Sequence, residues 1–462
     1  MDTKINDIQN RYWESSLLIL GIAFSILFFV TQMLHFDNGQ IFDKVLKVIN
    51  EGVWTHHGNA GTGVGFVPGT FLTAIAAIPM MLWFSPYAAA SVIILTHLLA
   101  YYLLRDILRS VSIVLVPLLA LIFWLNPWRV EQAELYNPAY LFMFGALHFW
   151  TSIKMQKKDW KITFLHVLSI GFCAQVHYSA IILAFASLFL FYKGRLKVHW
   201  WGFAAAVLVV VGSLVPWFLE TIHHPQFGVK LSDTPQSSVF FGKNALLVYP
   251  VLKAVLYWIR FGSTYYARHI FSEIRFDWIS NSVLQVIVSS VYHTIKYVFA
   301  LITLIWSGRW MIQNFKKIWS SFHLRPEKNV MLASLEDQIL DYGFYLFLAM
   351  LVAAGLSPVE FNHWHFIVCF PYVSVLTVLG LQHFLNTIKI QNAKKILTTI
   401  LIFFLIQNFF GAMGSRTHSL RNNFHKDFLL RYSRPQAYEI EYIDPEPARF
   451  AERGFSFFPK TP

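Results

Sequence analysis

Continuous apolar runs of about 17 or more residues recur along this chain, each long enough to cross a bilayer core. Strands facing a barrel lumen would alternate apolar with polar residues, and these runs do not, so they are expected to be helices. Hydrophobic residues make up 56% of the 462 and charged ones only 13%, where a soluble chain would carry about a quarter charged. The expected fold is all-α, a polytopic transmembrane bundle of roughly 11 to 13 spans.

The net charge of +12 resembles that of a nucleic-acid binder, but its placement makes it a topology signal. Basic clusters fall between apolar runs at Lys154/Lys157/Lys158/Lys161, Lys193/Arg195/Lys197, Arg309/Lys316/Lys317/Arg325/Lys328 and Lys389/Lys394/Lys395. Short basic loops stay cytoplasmic. All four share one side if spans run near 137–153, 162–176, 178–192, 200–219, 283–307, 336–356, 365–385 and 395–412. Residues 126–136, 220–277 and 357–365 and the tail then face outward. One conflict stands: with the N-terminus and Arg105/Arg109 both inside, 67–104 must cross an odd number of times, yet it reads as two spans. Either one segment is tilted or re-entrant, or Arg105 lies outside.

This phasing gives a transmembrane domain over 1–412, with outer loops at 34–66 and 220–282, and an outer tail over 413–462. Within the long loop, Ala245 to Ile259 reads as an interfacial helix or short span. Leu17 to Val30 lacks a small-residue cleavage site after it and is expected to be an uncleaved helix. Cys173 and Cys369 both lie in apolar runs and define no disulfide framework.

Chemistry is expected in the outer loops. Asp37 opens the first of them, just before the amphipathic stretch Ile41 to Ile49. It fits either a catalytic base or a helix cap. Glu131 and Glu134 are either further acids or solvating loop charges. Arg129, His177 and Tyr178 sit on the same expected face, as do Lys230, Lys243, Arg260 and Arg268 and, later, His363 and His365. The pairs His56–His57 and His223–His224 lack ligand geometry and are expected at the surface, with no metal. Gly61-Thr62-Gly63-Val64-Gly65 mimics a phosphate loop, but neither a preceding strand nor a following Lys-Ser/Thr is evident, so it reads as a flexible turn. Acids and cations at a bilayer surface suit sugar transfer from a lipid phosphate. A carboxylate deprotonates the acceptor, and Lys, Arg or His stabilises the departing phosphate. That chemistry requires no cofactor, and a divalent metal is compatible with it.

The order of these features resembles the GT-C glycosyltransferases. An acid-containing first loop and amphipathic helix lead to Glu51-Gly52-Val53-Trp54, then Val67-Pro68 enters a run ending Leu82-Trp83-Phe84. The likeness is to the lipid-phosphate-sugar branch: protein mannosyltransferases, the lipid A aminoarabinose transferase and rhizobial galacturonosyltransferases. Thr96 to Asp106 is similar to that family's third span, Asn126-Pro127 through Glu134-Leu135-Tyr136 to its second acidic loop, and His177-Tyr178 to a common turn. His365 leading to Phe370-Pro371-Tyr372 is similar to its late Pro-containing segment. The resemblance covers about residues 10–385. It implies a polyprenyl-phosphate-sugar donor, a glycolipid, polysaccharide or protein acceptor, inversion at the anomeric carbon, and Asp37 as base with Glu131 or Glu134 as second acid. Lys230, Lys243, Arg260, Arg268, His363 and His365 would hold the phosphate, and Asn38, Tyr136, His177 and Tyr178 would shape the acceptor or sugar pocket. Asn38 stands where the family pairs a second carboxylate, and Val67 replaces a frequent phosphate contact. A bacterial inner membrane, with the site on the periplasmic face, is the expected location. Two rivals remain open. A transporter or flippase predicts ionisable residues within spans. A polymerase or ligase would draw on Arg260, Arg268 and Arg275.

Overall fold

A computed structural model describes residues 2–34, 36–61, 65–228, 248–264, 274, 276, 279–320, 334–357, 362–415 and 418–432. The protein is a multi-pass helical membrane protein. Seven described helices are long and apolar enough to cross a membrane: α1 (Asp2–Thr31, apolar over Tyr12–Thr31), α4 (Pro86–Val111), α10 (Trp200–His223), α12 (Ser282–Ser320), α13 (Leu335–Leu356), α14 (His363–Asn386) and α15 (Ile390–Gly414). The shorter apolar helices are α3 (Phe71–Leu82), α5 (Leu115–Trp124), α8 (Trp160–Ala174) and α9 (Ala180–Tyr192). The expectation of 11 to 13 spans is met only if short helices are counted with the long ones. The remaining elements are α2 (Phe36–Glu51), α6 (Pro127–Glu131), α7 (Leu141–Lys154), α11 (Val248–Phe261), α16 (Phe424–Tyr432), and a small antiparallel hairpin, β1 (His57–Gly61) and β2 (Gly65–Pro68).

Ion pairs and hydrogen bonds fix which loops share an end. Arg105 pairs with Glu14 at 2.6 Å, and Lys154 with Asp106 at 2.8 Å. Gln156 donates to the Arg195 carbonyl at 3.3 Å, and Arg195 pairs with Asp341 at 2.7 Å. The described basic loops therefore gather at one end, called here the basic end. The Glu14–Arg105 pair also resolves the odd-crossing conflict. It places the start of α1 beside the end of α4, so everything between Thr31 and Pro86 stays at the opposite end. Helix α3 spans only about 18 Å at 1.5 Å per residue, too short to cross. Phe84 after it and Tyr87 in α4 meet Phe428 and His425 of α16. Helix α3 thus starts and finishes at the far end, the α2 end.

Two breaks bring polar chain into the bundle. Helix α5 stops at Asn126-Pro127, where Asn126 caps α6 by accepting from the Trp128 N–H at 3.0 Å. Helix α6 lies level with the middle of α1, because Arg129 donates to Ser25 Oγ at 2.7 Å and to the Gly21 carbonyl at 3.4 Å. The chain then climbs until the Leu135 N–H reaches Gln32 Oε1 at 3.3 Å near the α2 end. Residues 126–136 are consequently not an outer loop as the charge phasing predicts. Helix α11 makes the second break. Lys253 donates to Asn362 Oδ1 at 2.6 Å near the α2 end, whereas Phe261 packs on Trp128 and Phe370. Thr264 bonds Thr303, and Phe276 rests on Tyr292, nearer the start of α12. Where an interfacial helix or short span is expected, the chain forms a re-entrant helix that buries Tyr257, Trp258 and Phe261 and leaves Leu252 and Leu256 exposed.

The α2 end is a compact cap. Helix α2 buries Ile41, Phe42, Val45 and Leu46. Phe42 meets Phe424, Phe428 and Tyr432 of α16 at 4.8–6.1 Å between ring centroids. Gly69, at φ +91°, joins the hairpin to α3 and packs so closely on Gln175 that a Cβ would collide with that side chain.

Candidate functional site

The site forms where α2, the hairpin and the 126–136 stretch meet. Asp37 lies inside the first turn of α2, and the helix begins before it, so it is not the cap. An acid there also faces the positive end of the helix dipole. Asn59 of β1 ties the two elements together: its Nδ2 donates to the Asp37 carbonyl at 3.1 Å, and its Oδ1 accepts from Lys44 Nζ at 3.0 Å. Lys44 follows Asp37 and Ile41 along one face of α2 and is only 2% exposed. It was not among the residues expected from the sequence. A cation on the inward face of an amphipathic helix is the signal that could have found it.

Burial sets the protonation states. Asp37 is raised to about 6 by burial, against the lowering effect of Lys44. Burial lowers Lys44 to about 7, opposed by Asp43, Asp37 and Glu220. Glu134 is raised to about 8, first by burial and then by the charge of Asp37. At neutral pH the two acids therefore differ: Asp37 is mostly ionised and Glu134 mostly protonated. A pair split in this way lets one group accept a proton while the other donates one. Tyr136, next to both, stays protonated because burial and the nearby acids raise it. His418 completes this side, with Nε2 3.8 Å from Glu134 Oε2.

The other expected residues have mixed fates. Glu131 and Glu134 are buried, at 0% and 7% exposure, and do not solvate a loop. Glu131 lies deeper than Glu134, within electrostatic reach of Lys296 in α12. Arg129 is a tether: besides its bonds to α1 it donates to the Trp124 carbonyl and stacks on that indole at 3.9 Å. Asn38 is fully buried and donates to the Met33 carbonyl at 3.2 Å, turned into the packing of α2. Tyr178 donates to the Phe66 carbonyl of β2 at 2.8 Å. His177 is held by Ser179 at 2.6 Å, and burial lowers it to about 4, so it is neutral and cannot balance a phosphate charge. Its ring meets that of His365 at 5.2 Å, and His365 Nδ1 accepts from the Asn362 N–H. His363 packs between Trp128 and Tyr257. Arg260, 7% exposed at the foot of α11, lies over the Tyr257 ring at 4.8 Å. Lys230, Lys243, Arg268 and Arg275 lie outside the described residues.

One histidine expectation changes. His57 is 3% exposed, bonded to Glu220 at 3.1 Å and stacked on Phe227 at 4.2 Å, so it is not a surface residue. Burial, and then Lys44, lower it to about 4. The Gly-rich run does follow a strand, β1, and residues 62–64 at its tip lie outside the described residues. Among the described residues no group of three or more His, Cys, Asp or Glu is placed to hold a metal.

No family model matches the chain, and no curated protein does. Among solved structures it is similar to ArnT from Cupriavidus metallidurans in the apo state, at 12% identity and a TM-score of 0.49. It is also similar to that protein bound to undecaprenyl phosphate, at 13% identity and a TM-score of 0.45. Each match covers 80% of this chain but only 60% of the ArnT chain.

Proposed function

We propose that this protein is a membrane glycosyltransferase that moves one sugar from a polyprenyl phosphate to an acceptor arriving at the α2 end. The observation that carries the reading is the split pair Asp37 and Glu134, gathered with Lys44 opposite the basic loops. By the positive-inside rule the α2 end then faces away from the cytoplasm. Asp37 takes the proton of the acceptor hydroxyl as its oxygen bonds to the anomeric carbon. The bond from that carbon to the phosphate oxygen breaks, and the configuration inverts. The polyprenyl phosphate leaves with the bonding electrons, its charge met by Arg260 and by the cations of the 220–282 loop, Lys230, Lys243 and Arg268. His363 meets the Tyr257 ring over which Arg260 lies. Glu134, kept protonated, donates a hydrogen bond within the site. The resemblance of the first loop and the 126–136 stretch to the GT-C enzymes supports the donor class.

Transfer in proteoliposomes tests this, with a labelled polyprenyl-phosphate-sugar mixture as donor and cell-envelope lipid and protein as acceptors. Asp37→Asn should lower the rate by about 10²–10⁴-fold, the usual worth of a positioned base. A folded Asp37→Asn protein that transfers at the wild-type rate would remove Asp37 from this role. A flippase is the second reading, favoured by Lys296, which lies 5% exposed within α12. It predicts donor movement between leaflets without transfer.

A further inference from the structure

Beneath the acid pair the bundle holds polar atoms that nothing satisfies. Glu131 and Gln132 come from α6 and the residue after it, and Gln407 and Asn408 from α15; none is more than 2% exposed. Gln132 Nε2 reaches Glu131 Oε1 at a long 3.5 Å, and Asn408 Nδ2 donates to the Leu125 carbonyl at 2.9 Å. Among the described residues, Glu131 Oε2, Gln132 Oε1, Asn408 Oδ1 and both amide atoms of Gln407 have no hydrogen-bond partner. The Asn408–Leu125 bond joins α15 to the break before α6. Lys296 of α12 lies within electrostatic reach of Glu131, and Tyr292, one turn earlier, approaches Gln407 without a well-formed bond. The two amides are about 10 Å along α15 from its end at Gly414, so the cluster sits below Glu134.

Unsatisfied buried polar atoms each carry a desolvation cost, and a folded chain keeps few of them. Several at one junction, inside a membrane bundle, call for a partner that the chain itself does not supply. Four of the atoms are acceptor oxygens and one is an amide donor, all carried by flat side chains. Vicinal hydroxyls suit such a set, since each donates one hydrogen and can also accept. The set matches a bare phosphate poorly, since a phosphate only accepts and three of the orphan atoms besides the Gln407 amide are acceptor oxygens.

We propose that Glu131, Gln132, Gln407 and Asn408 form a subsite for a hydroxyl-rich ring, the sugar of the donor, and that these residues set which sugar is accepted. The inference rests on the glycosyltransferase reading and deepens it. A site that hydrogen-bonds substrate hydroxyls discriminates strongly, because a ligand lacking them leaves its amides unpaired.

The test measures two quantities on the purified full-length protein, wild type and the Gln407→Met and Asn408→Leu variants. One is binding of polyprenyl phosphate, bare and carrying glucose, mannose or galactose. The other is thermal stability in detergent. Wild type should bind at least one sugar-bearing lipid more tightly than the bare lipid. Each variant should weaken that lipid by about 10-fold, the worth of a lost polar contact, with bare-lipid binding unchanged. Melting temperature should hold or rise for Gln407→Met, where an apolar group replaces an amide with no partner, and should fall slightly for Asn408→Leu, which also loses the bond to the Leu125 carbonyl. Wild type that binds bare lipid but prefers none of the three sugars overturns the subsite and leaves the enzyme reading standing. So do variants that melt earlier yet keep wild-type sugar preference. Wild type that binds neither lipid form overturns the donor reading and the subsite with it.

Discussion

Two polar regions lie within this bundle and are built in opposite ways. At the junction of α7, α8, α9 and α13, His148 and His166 share the Ser187 hydroxyl at 2.8 and 2.9 Å. The other His148 nitrogen meets the Tyr342 hydroxyl at 2.8 Å, and the other His166 nitrogen meets Thr151, also at 2.8 Å. All four ring nitrogens are matched. At the junction of α6 and α15, buried carboxyl and amide atoms are left over. Both regions are polar side chains buried between helices, yet a ligand entering the first would have to break bonds, whereas the second offers atoms that it could bond without breaking any. Polarity inside a membrane is therefore a poor guide to function by itself. What separates glue from site is whether the chain completes its own hydrogen bonds.

The largest effect that could break this contrast is on rate. Asp37→Asn should cost about 10²–10⁴-fold in transfer with little change in melting temperature, while His148→Leu should leave transfer intact. Equal activity losses from both would erase the distinction. Next comes the pH profile. The base must be ionised, so the rate should rise through about pH 6, where Asp37 gives up its proton. Lys44 lowers the Asp37 value, so Lys44→Met should move that rising limb to higher pH. An unmoved limb would show that a different group sets it. A stability effect follows. His148→Leu leaves the Tyr342 and Ser187 hydroxyls short of a partner and should cost about 1–2 kcal/mol, read by denaturation in detergent. A double-mutant cycle with Ser187→Ala should show non-additivity. The smallest expected change is Tyr432→Phe. It removes a hydroxyl that donates to Asp43 at 2.9 Å and should cost about 0.5–1.5 kcal/mol. Hydrogen exchange in α16 should rise with it.

The same contrast explains what the sequence made legible. Helices from α7 onward lie near their expected bounds, because apolar runs and basic loops are local signals. Helix α3 was ambiguous, since its composition is that of a span and only its length and the Glu14–Arg105 pair place it at one end. The strand pairing of β1 with β2 had no alternation strong enough to read. Asp37 was visible as an acid at a helix start, but its partner Lys44 was hidden among the apolar positions of α2. Glu131 and Glu134 read equally well as further acids or as loop charges, because nothing local marks α6 as lying level with Ser25. Lys296, Gln407 and Asn408 gave no sign at all. Their meaning comes from helices hundreds of residues apart in the chain, and a polar residue within an apolar run looks the same whether it is matched or not.

The strap formed by α16 has a consequence for how the protein comes into being. Tyr432 reaches Asp43, Asn422 reaches the Thr31 carbonyl, and His418 lies against Glu134, so late residues close over early ones. Domains generally acquire structure as the chain emerges, early parts first. Here the pocket wall is among the last pieces to arrive. A chain that has emerged as far as α10 carries Asp37 and Glu134 but lacks the contacts of His418, Asn422 and Tyr432 that close over this end.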